Sequence, residues 1–154
     1  ELAQEAEWSH ERSIDWEALA NPHHQGVQAL VRDLNRVYRS RPALWEQDSV
    51  REGFAWIDPH DADHNVFSFI RWSREREPLV CLCNFSPVVG KDHQVGLPRA
   101  GRWVEILNTD DAAYGGSDVP DMGVVEAEAL GWAGQPASAR VTLPPLATVW
   151  LTPS

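Results

Sequence analysis

The pattern of apolar and polar positions changes once along the chain, close to Pro42. Before this point, apolar residues recur at the i, i+3, i+4, i+7 spacing of an amphipathic helix. These residues are Val27, Leu30, Val31, Leu34, Val37 and Tyr38. Asn21 is a good N-cap and Pro22 suits the first helical position, whereas Pro42 disfavours helical geometry at the residue before it. The pattern predicts one long helix with a short partner around residues 14–19, and the apolar stripe needs a surface to cover it.

In the second part of the chain the period becomes two, which is typical of strands. Residues 54–57 and Val66–Trp72 are predicted strands joined by a polar turn, and residues 79–85 are apolar on both faces, as in a central strand. Further strands are predicted at 95–97, 103–107, 124–127, 141–143 and 148–151. Since no helical pattern intervenes, we expect a mainly β fold. An antiparallel β-sandwich over residues 42–154 would follow loop and helix over residues 1–41.

The composition is that of one globular unit with no attraction to anionic partners. A chain of 154 residues with 43% hydrophobic residues can bury one ordinary core. The net charge of −10 argues against nucleic acid and anionic membranes as partners. No run of about 18 apolar residues and no basic, apolar leader is present, so we expect neither a membrane span nor a signal peptide.

Tryptophan and cysteine are used in distinctive ways. Tryptophan, which occurs eight times, stacks well on the apolar face of a sugar ring but is also a large core residue. We expect most of the eight in the core. Cys81 and Cys83 lie two residues apart on a predicted strand and therefore point to one face, which suits packing better than a disulfide. Two cysteines in a chain without a leader favour a reducing cytoplasm.

The turn DPHDADHN is the segment that most resembles a metal loop. Asp61, Asp63 and Asn65 stand at alternate positions, as at the start of a calcium-binding loop. However, Val66 stands where such a loop needs glycine, and Trp72 stands where it needs a bidentate glutamate. We therefore expect a solvated hairpin turn.

Other polar residues do not form a convincing catalytic or metal-binding set. His23 and His24 diverge by about 100° on a helix, so we expect them in its first turn, one of them bonded to a neighbouring loop. Glu126 and Glu128 share a strand face and are expected to face solvent. No Gly-x-Ser-x-Gly segment and no glycine-rich phosphate loop occurs. We predict no catalytic residue, no metal and no cofactor in this chain.

A series of short motifs spans the whole chain in a fixed order. They are Glu1-Leu2-Ala3-Gln4, Glu7-Trp8, Ile14-Asp15-Trp16, HHQGVQALVRDLNRVYR, Pro42-Ala43-Leu44, GFAWID, CNFSPV, WVEILNTD, YGGS and LPPLA. This order resembles the C-terminal portion of bacterial 1,4-α-glucan (glycogen) branching enzymes, members of the α-amylase superfamily. Leu2, where the family usually has Phe, and Ser86, where it has Thr, are minor departures.

The resemblance implies that residues 1–41 are the end of a catalytic (β/α)8 barrel, from the loop after its eighth strand through its last helices. The helix stripe would then face barrel strands that this chain lacks, and residues 42–154 would be the α-amylase-type C-terminal sandwich. Active sites of such barrels lie at the C-terminal ends of the strands, so the first residues would border a glucan cleft. The carboxylates of retaining glucan transfer lie, in the family, upstream of Glu1. The chain alone is therefore expected to be inactive.

The candidate glucan-binding residues are Trp56, Trp8, Trp16 and Glu1. Alternation puts Phe54 and Trp56 on the outer face of an early strand, often an edge strand, with Ala55 and Ile57 inward. The alternative is that Trp56 packs under a loop or against the barrel. Trp8 and Trp16 are candidates by their place at the rim, although Trp16 is also expected to anchor its short helix.

Three functions remain open at this stage. The chain is part of a branching enzyme that makes α-1,6 branches in glycogen, a non-catalytic carbohydrate-binding sandwich, or a purely structural domain. The helix stripe favours the first, because a free-standing binding module would not need it. The expected partners are α-glucan (glycogen or amylose-type chains) and the N-terminal barrel of the same protein. The long loop at residues 108–122, with Tyr114 and a Gly-Gly pair, is expected to be either packed or solvent-exposed.

Overall fold

The computed structural model describes residues 1–117 and 119–154. In these residues a helix, α1 (Pro22–Ser40), precedes eight strands. The strands are β1 (Phe54–Asp58), β2 (Val66–Trp72), β3 (Pro78–Asn84), β4 (Gly90–Leu97), β5 (Gly101–Asn108), β6 (Val124–Ala127), β7 (Ala137–Leu143) and β8 (Thr148–Pro153). Short 3₁₀ turns occupy Trp16–Ala20, Pro42–Leu44, Arg51–Gly53 and Ala112–Tyr114. Neither α1 nor any other helix of the described residues has the length and apolar character needed to cross a membrane.

The strands form two antiparallel sheets that share one core. Six strands pair in the order β1-β2-β3-β8-β5-β6, and β4 pairs with β7 in a second, two-stranded sheet. Buried side chains from both sheets meet in one cluster, in which Ile70, Leu82 and Trp103 of the large sheet lie with Leu97 and Val141 of the small one. The predicted antiparallel β-sandwich is confirmed.

The predicted positions of the strands are confirmed, although β4 and β7 begin well before their expected starts, β7 at Ala137 and not at Val141. The strand β3 is third of six, and all its residues except Cys83 are buried, as expected for a central strand. In contrast, β4 begins at Gly90, well before the predicted start at Val95. The segment from Gly90 to His93 contains a register irregularity against β7, with Asp92 at a positive φ of 56°. A polar, bulged strand carries no period-two signal, so the sequence pattern could not show it.

The helix begins and ends where the caps predict. The side chain of Asn21 accepts a hydrogen bond from the backbone N–H of His23, and Pro22 occupies the first helical position. Among the described residues of α1, only Gly26 is buried. The apolar stripe is partly covered, since its residues are half-buried except for the exposed Tyr38. The short partner forms as a 3₁₀ turn after Asp15. Trp16, however, is 61% exposed, so the expectation that it anchors this turn is wrong.

The loop at residues 108–122, of which Asp118 lies outside the described residues, is packed against α1. The hydroxyl of Tyr114 donates to Oδ2 of Asp33 across 3.1 Å. The backbone of Tyr114 approaches α1 so closely that a Cβ on Gly26 would lie 2.3 Å from its carbonyl oxygen. Burial and the hydrogen bond to Asp33 raise the pKa of Tyr114 to about 12. Of the two expectations for this loop, the packed one is confirmed at Tyr114, whereas residues 112–113 and 115–117 are exposed.

Most tryptophans lie outside the core, so the expectation that they would fill it is wrong. Trp103 is fully buried, and its indole N–H donates to the carbonyl oxygen of Arg99 at 3.1 Å. Five others are exposed, namely Trp8, Trp16, Trp45, Trp56 and Trp132.

Cys81 and Cys83 are free thiols with their sulfur atoms 3.7 Å apart, so the expectation of packing without a disulfide is confirmed.

Candidate functional site

Five aromatic side chains lie together on the outer face of the large sheet. Four belong to β1 and β2, and the fifth belongs to the residue after β3. We call them the aromatic cluster: Phe54, Trp56, Phe67, Phe69 and Phe85. All except the half-buried Phe69 are exposed. An exposed, contiguous group of aromatic rings is the kind of surface that binds a ligand or a partner.

Local sequence and strand pairing explain how the aromatic cluster forms. In β1 the residue after Trp56, Ile57, turns inward and is 7% exposed, so the predicted alternation is confirmed. In β2 the inner positions Val66 and Ile70 are buried. Trp56 stands opposite Phe69 in the β1–β2 ladder, and residues paired in this way share a face. The place of β1 at the edge of the large sheet is also confirmed.

Trp56 lies at the centre of the aromatic cluster. Its ring centroid is 5.1 Å from that of Phe54, 6.0 Å from Phe69 and 6.1 Å from Phe67. The interplanar angles of 89°, 83° and 66° are edge-to-face arrangements, each worth about 0.5–1.5 kcal/mol beyond burial. Three neighbours thus hold an indole ring that remains 50% exposed. This fixes the orientation of a flat apolar surface without covering it.

Polar groups border the aromatic cluster on the side of Phe54. Arg71 stands directly opposite Phe54 in the β1–β2 ladder, so the two side chains share a face. Arg71 donates from Nε to the carbonyl oxygen of Gly53 at 3.2 Å and forms an ion pair with Asp48. The side chain of Asp48 is half exposed and keeps acceptor capacity toward solvent. A ligand on the aromatic rings therefore has hydrogen-bonding groups beside it.

The other predicted binding residues lie in a different part of the chain. Trp8 is 77% exposed, and its ring is 6.4 Å from that of His10. Trp16 and Glu1 are exposed as well. Among the described residues, neither Trp8 nor Trp16 has a ring contact with the aromatic cluster. The structure therefore groups Trp56 with phenylalanines and not with the other predicted residues.

The N-terminal segment is held on α1 by hydrogen bonds. Nδ1 of His24 lies 2.7 Å from the carbonyl oxygen of Leu2, which is itself buried. The side-chain amide of Gln25 donates to the carbonyl oxygen of Leu19 at 2.7 Å. The expected bond from one of the two adjacent histidines to a neighbouring loop is therefore confirmed, for His24.

Phe67, Phe69 and Phe85 were not among the predicted site residues. The alternation Phe67-Ser68-Phe69 already places two of these rings on one face of β2. Their contact with Trp56 depends on the strand register and could not be read from the sequence. Phe85 follows the end of β3, where alternation no longer applies, so its ring contact with Phe67 at 5.4 Å carried no sequence signal.

The half-buried carboxyl group of Glu105 is far from the aromatic cluster along the sheet. Burial raises its pKa to about 7, and it accepts a hydrogen bond from the backbone N–H of Met122 at 3.2 Å. It lies on β5, which β8, β3 and β2 separate from β1. Its contacts therefore fit a role in holding the loop before β6.

The turn between β1 and β2 is a hairpin turn whose residues are mostly exposed, as expected, whereas Asp61 is half-buried. Asp63, His64 and Asn65 are exposed, and the carbonyl oxygen of Asn65 accepts from the backbone N–H of Phe85 at 2.9 Å. Asn65 has a positive φ of 57°, which asparagine tolerates better than most residues. Trp72, at the position of the missing calcium ligand, packs against the core.

The sequence of this chain matches one protein family and part of several longer proteins. The chain belongs to the family described as "Alpha amylase, C-terminal all-beta domain", whose family model matches residues 56–154. It is 51% identical over 154 residues to the 1,4-alpha-glucan branching enzyme GlgB of Cereibacter sphaeroides. It is also 54% identical over 152 residues to the enzyme of that name from Thermobifida fusca, and 49% over 156 residues to that from Myxococcus xanthus.

The coverage of these relatives is unequal. The alignments include 98–100% of this chain but only 20–21% of each relative. The chain therefore spans about a fifth of the length of the curated relatives it matches. The family match begins at residue 56, after α1 and the two 3₁₀ turns that follow it.

Proposed function

We propose that the chain acts as part of a 1,4-α-glucan branching enzyme and that the aromatic cluster around Trp56 holds α-glucan chains. The relatives that carry this name support the proposal, since they match nearly the whole chain at about half identity. The observation that carries the binding role is the indole ring of Trp56, which three aromatic neighbours orient while half of its surface stays open.

The two parts of the chain have different proposed roles. In the proposed enzyme, residues 1–41 complete a (β/α)8 barrel and the sandwich over residues 42–154 supports it. The incompletely covered apolar stripe of α1 supports this division, because it offers a surface for missing barrel strands. The catalytic carboxylates would come from those strands.

Two free cysteines support a cytoplasmic location, where thiols stay reduced.

A Trp56→Ala substitution should weaken the binding of the chain to glycogen. Loss of one stacking surface worth about 1 kcal/mol corresponds to roughly fivefold weaker retention. Electrophoresis of the native protein through gels with increasing glycogen content measures this change as an apparent dissociation constant. Circular dichroism on the same samples reports whether the sandwich remains folded.

Trp132→Ala is the matched control, because Trp132 is exposed to a similar degree but lies outside the aromatic cluster. It should leave retention unchanged. Equal retention of wild type and Trp56→Ala would exclude glucan binding at this surface. That result, with a folded variant, would favour the structural alternative, in which the aromatic cluster contacts the barrel.

The chain alone should neither branch nor hydrolyse amylose. Retaining transfer needs a nucleophilic carboxylate and a general acid about 5–5.5 Å apart across a glucan, and the proposed enzyme supplies these from its barrel. The spectrum of iodine-stained amylose should stay constant during incubation with purified chain. A fall in absorbance at a rate proportional to chain concentration would show that the chain has catalytic groups of its own.

A further inference from the structure

A second cluster of polar side chains lies where the β1–β2 turn meets β4. The ligand atoms of Asp61, His64 and His93 all lie within 4.8 Å of one another. Nδ1 of His64 is 2.6 Å from Oδ1 of Asp61, and Nδ1 of His93 is 3.9 Å from Oδ2 of the same carboxylate. The two imidazole rings meet edge to face, with centroids 5.8 Å apart. One imidazole from the β1–β2 turn and one from β4 thus face one carboxylate.

Local backbone structure brings these residues together. The β1–β2 turn is closed by the hydrogen bond from the N–H of Val66 to the carbonyl oxygen of Asp61 at 3.3 Å. On β4 the register irregularity before His93 includes Asp92 at positive φ. A bulge of this kind redirects the side chains that follow it. Arg140 of β7 fixes the bulge by donating to the carbonyl oxygen of Asp92 at 3.0 Å and to its carboxylate at 2.9 Å.

The cluster opens into a groove of about 530 Å³ between the two sheets. Besides Asp61, the groove is lined by Asp58, Asp63 and Asp92, the last of which is paired with Arg140, whereas Lys91 is the one lysine or arginine among its described lining residues. This excess of negative charge attracts cations. His93 and Asp61 are largely enclosed, with side-chain exposures of 12% and 17%, while His64 at 69% is free to turn.

We propose that Asp61, His64 and His93 bind a divalent transition-metal ion of the zinc class. Imidazole and carboxylate together suit such ions, whereas Ca²⁺ and Mg²⁺ prefer oxygen ligands alone. Ligands at about 2.0–2.1 Å in a tetrahedron are roughly 3.3 Å apart, a value that lies between the two observed nitrogen–oxygen separations. A small rotation of the exposed His64 ring and a shift of the Asp61 carboxylate bring all three into range. Water from the groove completes the coordination.

A plain hydrogen bond between His64 and Asp61 explains only part of this arrangement. A pair whose histidine is 69% exposed contributes little to stability. It also gives no reason for the enclosed His93 to point toward the second oxygen of the same carboxylate. A shared metal ion satisfies both rings and the carboxylate at once.

Zinc titration of the chain, purified with EDTA and then freed of it, tests the proposal. Calorimetry should show one saturable site, and Co²⁺ should give the visible absorption of a protein-bound ion. In NMR spectra of the histidine rings, zinc should shift the signals of His64 and His93 first. His64→Asn and His93→Gln should each weaken zinc binding at least tenfold.

His60→Ala is the control, because His60 is an exposed histidine in the same turn. It should leave zinc affinity unchanged. The His64→Asn variant alters an exposed side chain, so it remains folded even if the His93 substitution disturbs β4. The proposal is wrong if His64→Asn binds zinc as tightly as His60→Ala does. It is equally wrong if zinc first shifts the NMR signals of the His10, His23 and His24 rings. It is also wrong if no saturable zinc binding occurs below about 1 mM, a concentration at which even the weak calcium sites of extracellular modules bind their ion.

Discussion

A Trp103→Ala variant should lose about 3–5 kcal/mol of unfolding free energy, the usual result of removing a fully buried aromatic side chain. Trp103 lies in the core cluster shared by the two sheets and has no measurable exposure. Its removal leaves a cavity and also frees the carbonyl oxygen of Arg99, which the indole N–H now satisfies. Urea unfolding followed by circular dichroism measures the change.

The same substitution at Trp132 provides the comparison, because that side chain is 46% exposed. Trp132→Ala should cost less than about 1 kcal/mol, since surface substitutions usually have small effects. Similar midpoints for the two variants would mean that the sandwich core does not close around Trp103 as described.

A Gly26→Ala substitution should release the loop around Tyr114 from α1. At an exposed helical position this change stabilises a helix by up to about 1 kcal/mol. Here the added Cβ would stand 2.3 Å from the carbonyl oxygen and 2.6 Å from the carbonyl carbon of Tyr114, both of which are backbone atoms. The backbone cannot yield as a side chain can, so we expect a net loss of about 1–3 kcal/mol, as in overpacked cores.

Titration of the tyrosines by ultraviolet absorbance reports this release directly. In the docked loop, burial and Asp33 raise the pKa of Tyr114 to about 12, and an undocked phenol should titrate near its ordinary value of 10.0. Hydrogen exchange at residues 111–117 should quicken in parallel. Gln28→Ala, an exposed change on α1, should alter neither measurement. A Gly26→Ala protein that is more stable and keeps the high pKa would contradict the docking.

The sequence predicted the sandwich well because its strands alternate and its turns carry proline and glycine. Val66–Trp72 and Val124–Ala127 have the predicted bounds. The start of β4 was missed because its first residues are polar and bulged. The burial of the tryptophans was wrongly predicted for another reason. Residue type alone does not show whether a large amphipathic side chain is buried in the core or exposed on the surface.

The candidate sites show the same limit. The outward direction of Trp56 followed from the alternation in β1, whereas the ring contacts with Phe67 and Phe69 required the register of β1 against β2. His93 lies 29 positions after His64 in the chain, and only the packing of β4 beside the β1–β2 turn brings the two together. Short-range pattern predicts which face a residue occupies. The partners on that face depend on tertiary structure.

The hydrogen bond between Tyr114 and Asp33 joins two parts of the chain that are made at different times during synthesis. Its two residues are 81 positions apart. At a synthesis rate of 5–20 residues per second, α1 waits roughly 4–16 s before its docking partner exists. Closing so long a loop is entropically costly, so the contact forms only after local strand pairs have brought its ends together. During that interval the surface of α1 at Gly26 and Asp33 lacks the loop that later packs on it.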